Sequence, residues 1–379
     1  MNYKNISFGF LILYILFFHF MESYSNSLVQ VGTYFLALPL VAFWFFETLV
    51  NKKLNFYKLS YVGFVYCLYM LFTCIWSNYI DYSIDYFFRF FSVFLLYIII
   101  NDLVSNLDRV FKVIYAYVLG VLPIGINALL NVFSGITYQD LSNRYSADGF
   151  DPNNFGIILN ITTIFVYILI FNKKINILFG FLSVCLLSFL ILSTGSRASL
   201  GIFLLGLILV LSLFTWRKPL FLPIFMIGFL VFGYFLFDFI PANSLERAFS
   251  GVNVEDESRF MFWKQIVASV DGIRFIFGHG IGTVVPYFGY NAHNTFVSNF
   301  FEGGFIAFIL WFVFIFSHYL NIVYFYIKTK NVILVLFFIA FLAMLGGLFT
   351  LNWEFRKDLF ILLSTSILLS KFLFFSKKE

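Results

Sequence analysis

The stretch KKINILFGFLSVCLLSFLILSTGSR, residues 173–197, has two lysines at one end, one arginine at the other and no charge between them. Its apolar run, about 176–193, is of the length that crosses a bilayer's hydrocarbon layer, which takes roughly 17–25 residues. Working outward, similar runs occupy about 5–20, 30–50, 59–76, 86–101, 110–133, 152–171, 198–215, 219–240, 295–318, 331–349 and 358–375. Composition agrees: 61% of the 379 residues are hydrophobic and 11% are charged, with a mean hydropathy of +0.93. A soluble domain averages about 25% charged residues, so a water-surrounded globule is excluded. No small-residue cleavage site follows the first run, which is therefore kept as a helix. The expectation is an all-α polytopic membrane protein, a single transmembrane domain over 1–379 with about 12 transmembrane helices.

Positive charge sets the orientation, because basic residues stay on the cytoplasmic side of short loops. With the N-terminus inside, alternate connections carry Lys52, Lys53 and Lys58; Arg109 and Lys112; Lys173 and Lys174; Arg217 and Lys218; Lys328 and Lys330; and finally Lys377 and Lys378. Both termini are then cytoplasmic. The opposite face receives Arg144, Arg197, Arg247, Arg259, Lys264, Arg274, Arg356 and Lys357, and Arg89 sits just inside the outer end of its span. Seven of the nine arginines thus fall on one side. A guanidinium fork fits phosphate oxygens, whereas lysine at a helix end is a topology anchor. The net charge of +5 comes mainly from the inner anchors and implies no nucleic-acid partner. Cys67, Cys74 and Cys185 lie within or near spans and read as small hydrophobes.

Two outer loops have substance, about 134–151 and 241–294. The second, the large periplasmic loop between the ninth and tenth spans, is the longest polar stretch in the chain. Within it, Asn253 followed by Glu255, Asp256 and Glu257 reads as a helix start. Phe260, Trp263, Ile266 and Val267 continue it as an amphipathic helix over about 254–270, with Arg259 on its polar face. No tandem or inverted repeat is visible.

Three constellations carry the chemistry. Ser193-Thr194-Gly195-Ser196-Arg197 reads either as an anion cradle of backbone N–H groups around a bidentate donor or as a tight turn with a snorkelling arginine. From Arg144 to Gly156, Asp151 and Pro152 fit a helix cap and first position. Asn153 and Asn154 at the mouth of an apolar helix still need partners, which points Arg144 and Asn153 at a substrate. Beyond Arg247, Arg259 and Arg274 come Gly278-His279-Gly280-Ile281-Gly282, then His293 and Asn294 where the tenth span begins, with Glu302, Gly303 and Gly304 further on. His293 is placed to exchange a proton near neutral pH, or else to cap a helix. His279 reads as part of a glycine turn, and His19 and His318 as packing residues. Glu354 and Arg356 read as a surface ion pair, and Arg89 as facing a polar cavity. No metal-ligand cluster or Walker loop is present, so neither metal nor cofactor is expected.

Taken together, the Thr-Gly-Ser-Arg turn at 194–197, Asp-Pro-Asn at 151–153, the arginine-bearing loop, Gly-His-Gly-Ile-Gly at 278–282 and His293-Asn294 resemble the O-antigen ligase and O-antigen polymerase superfamily of bacterial inner-membrane glycosyltransferases. The resemblance is best over about 140–320. It implies a GT-C-type, inverting, metal-independent transfer on the periplasmic face of the inner membrane, from an undecaprenyl-diphosphate-linked oligosaccharide. Physics agrees independently, since arginines stabilise the charge of a departing diphosphate. On this reading His293, Arg197 and Arg259 are catalytic, and Arg144, Asn153, Ser196, Arg247, Arg274 and Asn294 bind substrate. The expected product is polymerised O-antigen; the alternatives are ligation to lipid A–core and, in another class, a flippase. Partners are the lipid-linked glycan, the membrane and other polysaccharide-assembly proteins.

Overall fold

A computed structural model describes residues 3–23, 27–138, 144–217 and 254–375. Among them every regular element is a helix. In chain order these are α1 (Tyr3–Ser23), α2 (Ser27–Asn51), α3 (Lys58–Thr73) with a 3-10 turn Cys74–Trp76, α4 (Ile80–Leu103), α5 (Leu107–Ser134), α6 (Pro152–Phe171), α7 (Ile177–Ser193) and α8 (Arg197–Arg217). There follow α9 (Val254–Ala268), the short α10 (Arg274–Phe277) and α11 (Val284–Phe288), then α12 (Thr295–Thr329), α13 (Val332–Thr350) and α14 (Lys357–Phe375). Among the described residues, nine helices are long and apolar enough to cross a membrane, and two shorter apolar ones occupy Ile177–Ser193 and Arg197–Ser212. The expected span at 219–240, Arg247, Asn253, Lys218, Lys377 and Lys378 lie outside the described residues, as does 139–143 of the first polar loop.

The chain forms two compact units. Unit one comprises Met1–Asn51, Asn106–Ser250 and Thr329–Gly346; unit two comprises Lys52–Ser105, Gly251–Lys328 and Gly347–Glu379.

In unit one, α6 is buried along nearly its whole length. A helix enclosed on all sides must satisfy its own polar groups, and Thr162 and Thr163 do so by donating to the carbonyls four residues earlier. Small residues set the close approaches. A Cβ at Gly120 would lie 2.7 Å from the Leu16 carbonyl oxygen, so α5 and α1 touch backbone to backbone. Gly156 similarly admits Ser199, and Asn160 Nδ2 donates to Gly156 O at 2.8 Å and Ser199 O at 3.0 Å, which fastens α6 to the first turn of α8.

Unit two has an aromatic core. Tyr66, Phe90, Phe94, Tyr97, Trp311, Phe314 and Phe360 meet edge-on or tilted across α3, α4, α12 and α14. Such pairs add about 0.5–1.5 kcal/mol each beyond area burial. His318 is fully buried there with its Nε2 3.1 Å from Tyr97 Oη, a packing role as expected.

Several expectations change. The fourth span starts earlier than 86, at Ile80. Arg89 faces no polar cavity: it pairs with Asp85 at 2.6 Å, one turn back on the same helix, and both side chains are more than half exposed. Glu354 is not in a surface ion pair. It is buried, and its Oε2 has no hydrogen-bond partner among the described residues. The helix expected at 254–270 ends at Ala268. Ile266 packs inward with Val270, Val284, Ala292 and Phe301, while Phe260 and Val267 point outward.

Candidate functional site

Unit one gathers the first two constellations. Asp151 caps α6 by accepting from the N–H groups of Asn153 and Asn154 at 2.8 and 3.2 Å, with Pro152 at the first helical position. Arg144 is buried beside this cap. Its Nε donates to Thr194 O at 2.9 Å and its Nη2 to Asn153 Oδ1 at 2.8 Å. Tyr145 N donates to Ser193 O at 3.1 Å, so the Arg144 segment lies along the end of α7. A helix ends with orphan carbonyls and a partial negative charge, and a guanidinium there answers both. Arg144 and Asn153 thus have partners within the protein, which accounts for the asparagine that local sequence left unexplained.

The turn between α7 and α8 follows from its residues. Gly195 takes a left-handed φ of 58°. Thr194 Oγ1 accepts from Ser196 N, and buried Ser196 accepts from Ser199 Oγ at 3.0 Å and, more weakly, from Ser199 N at 3.4 Å. Ser196 therefore acts as the helix cap. Half-buried Arg197 is the first residue of α8 and stands at the positive end of its dipole. A helix N-terminus joined to a guanidinium is chemically suited to an oxyanion of phosphate type.

Unit two holds the third constellation. Asn294 caps α12, accepting at Oδ1 from Phe296 N at 3.0 Å and Val297 N at 3.1 Å. His293, just before it, is exposed and has a left-handed φ of 49°, which is unusual outside glycine. The chain either side is pinned: Trp263 Nε1 donates to Ala292 O at 2.7 Å, and Asn294 N donates to Asn352 Oδ1 at 3.2 Å. Arg259 is half-buried on α9. Arg274 is committed instead, donating to Trp76 O at 3.3 Å and Gly278 O at 3.1 Å.

The glycine motif serves a break in α12. Gly304 has φ 66° and ψ −165°, so the helix is interrupted there and the preceding carbonyls lose their usual donors. His279 N donates to Phe301 O at 2.9 Å, Gly280 N to Glu302 O at 2.7 Å, and Tyr69 Oη to Gly303 O at 2.8 Å. Side chains would block this approach: a Cβ at Gly278 would strike the Glu302 carbonyl, and one at Gly282 would strike the Tyr86 ring. The His279 ring stacks on Phe301, with centroids 4.4 Å apart, and burial together with Arg274 lowers its proton affinity.

Local sequence did not disclose a buried polar group around Glu302 and Glu354. Thr295, Asn299 and Glu302 fall at helical spacing on one face of α12, and all three are buried. Tyr66 bonds Asn299 Oδ1. The Glu302 carboxyl lies within the influence of the Gly282 and Val284 backbone N–H groups and of the charge of Glu354. The polar stripe in an apolar run was a usable signal; its partner 52 positions later was not.

A family model described as O-antigen ligase matches residues 181–312. That span contains Ser196, Arg197, Arg247, Arg259, Arg274, His293 and Asn294, and leaves Arg144 and Asn153 outside. No curated protein matches the chain. Over residues 181–312 the chain carries an O-antigen ligase family domain, and the O-antigen ligase and polymerase superfamily recognised in its motifs stands on that match.

Proposed function

We propose that this chain transfers a glycan from undecaprenyl diphosphate to an acceptor hydroxyl on the periplasmic face of a bacterial inner membrane, as an O-antigen repeat-unit polymerase. The observation that carries the reading is Arg197 in the first turn of α8, inside the matched domain, where guanidinium and helix dipole add. Arg197 binds the donor diphosphate; Arg247 and Arg259 stay candidates for that role on the sequence pattern alone. Arg144, Asn153 and Ser196 hold the Arg197 turn in shape, Asn294 caps the helix that follows His293, and Arg274 ties the start of the glycine loop to Trp76.

The reaction inverts the anomeric carbon and uses no metal. The acceptor oxygen bonds that carbon as its bond to the diphosphate oxygen breaks, and the electron pair leaves with the phosphate. The hydroxyl proton passes to the His293 ring. Developing negative charge on the leaving group is what the arginines stabilise.

Ligation to lipid A–core uses the same donor chemistry, and the matched family's description favours it. The 241–294 loop, modest for docking a lipopolysaccharide core, favours polymerisation. Purified protein in liposomes should lengthen lipid-linked repeats without nucleotide. Arg197→Ala should abolish that lengthening at unchanged protein level, and full activity in the variant refutes the assignment. A deletion strain with single-repeat lipopolysaccharide identifies a polymerase; naked core with accumulated lipid-linked polymer identifies a ligase.

A further inference from the structure

We infer that Glu302 and Glu354 are a buried pair of carboxyls of which Glu354 keeps its proton, and that the segment carrying Glu354 positions the turn carrying His293. The inference rests on the transfer reaction proposed above for its catalytic consequence, but not for the existence of the pair.

The two glutamates are 4% and 3% exposed, and Glu354 Oε2 is buried with no hydrogen-bond partner. An ionised oxygen left bare in such a place is costly, and a proton is the smallest group that removes the charge. Around them the segment 351–354 is stitched to the start of α12. Thr295 Oγ1 donates to Leu351 O at 2.9 Å and accepts from Trp353 N at 2.8 Å. Asn352 Oδ1 accepts from Asn294 N, and its Nδ2 donates to Ser298 Oγ at 2.9 Å. Glu354 follows Trp353 directly, so it sits on the segment sewn to Thr295, two residues beyond His293. Whatever moves Glu354 therefore pulls on the turn that carries His293.

The groups facing the pair sharpen this. Tyr66 on α3 and Tyr86 on α4 both feel the two carboxylates, and Tyr86 also feels Arg89 and Asp85 from its own helix. Arg356 and Asp358 follow Glu354 in the chain, and His293 precedes α12. Burial outweighs every other influence on Glu354 and pushes its carboxyl up to about 7. With both carboxylates ionised, repulsion inside a low-dielectric site would prise 351–354 from α12.

The full chain in detergent and in liposomes tests this through Glu354→Gln, which keeps shape without charge, and Glu354→Ala, which removes the carboxyl. Because the folded carboxyl binds its proton more tightly than the unfolded one, its stabilisation is complete below the ordinary value of 4.5 and is lost as pH rises through about 7. The wild-type unfolding midpoint should fall across that window, and that component should vanish in Glu354→Gln. In transfer assays Glu354→Gln should keep its rate and lose the wild-type decline toward alkaline pH. Glu354→Ala should lose roughly tenfold or more in kcat with an unchanged donor KM, the scale expected of a misplaced base. Faster diethyl pyrocarbonate modification of His293 in Glu354→Ala reports the positioning without any catalysis. The same pH slope in Glu354→Gln, a Glu354→Gln protein that does not fold, or unaltered His293 reactivity in Glu354→Ala overturns the inference. Transfer absent from the wild type, with the slope and reactivity changes present, overturns the transferase reading and leaves the pair standing.

Discussion

Replacing Arg144 by alanine separates a brace from a substrate ligand. The side chain is buried and spends its Nε on Thr194 O and its Nη2 on Asn153 Oδ1. Hydrogen bonds from a charged donor contribute about 1.5–3 kcal/mol each, so the two together stand for roughly 3–6 kcal/mol. Truncation also strands the Thr194 carbonyl in a residue with no solvent exposure and leaves that end of α7 without its cation. Water entering the vacated space recovers part of this, so the expected loss is about 3–5 kcal/mol. At about 2–4 °C per kcal/mol for a unit of this size, the unfolding midpoint should drop on the order of 10 °C. Arg144→Lys, which reaches one acceptor and not both, should lose about half as much. Fluorescence-detected size exclusion after graded heating measures the loss, and transfer kinetics on the surviving protein complete the test. A wild-type midpoint combined with a raised donor KM would show that Arg144 meets the donor directly and that its bonds to Thr194 and Asn153 are incidental.

Two further substitutions probe the same logic in unit two. Gly282→Ala must accommodate a left-handed φ of 75° and a methyl group against the Tyr86 ring, for a loss of about 2–4 kcal/mol; a midpoint equal to wild type would show that the glycine loop is free to shift. Asn294→Ala removes the α12 cap and should cost about 1 kcal/mol with an unchanged donor KM, whereas a several-fold rise in KM would return Asn294 to the substrate-binding set.

What the sequence displayed followed the range of the forces involved. Span positions depend on runs of apolar residues, so 152–171 and 358–375 were readable within a residue of α6 and α14. Caps depend on neighbours three or four positions apart, so Asp151 and Pro152 were readable too. Arg144 was not, because its partners are the carbonyl of residue 194 and a side chain whose orientation the fold decides. Arg89 misled for a related reason: an arginine in an apolar run signals a cavity only when nothing nearby neutralises it, and Asp85 lies one helical turn away.

The motif Gly278-His279-Gly280-Ile281-Gly282 shows how a functional reading and a structural one coexist. Its glycines let backbone N–H groups reach the carbonyls exposed where α12 breaks at Gly304, and in doing so bring Gly282 and Val284 to the Glu302 carboxylate. A straight α12 would satisfy its own carbonyls and give this loop nothing to bind. The break, the glycine loop and the buried glutamate are therefore one arrangement, and its consequence is mechanical: His293 leaves a turn held on one side by the Asn294 cap and on the other by Trp263. Flexibility at such a turn would spread the ring over many orientations. Pinning it from two elements is what a proton acceptor needs if it is to meet an acceptor hydroxyl in one geometry.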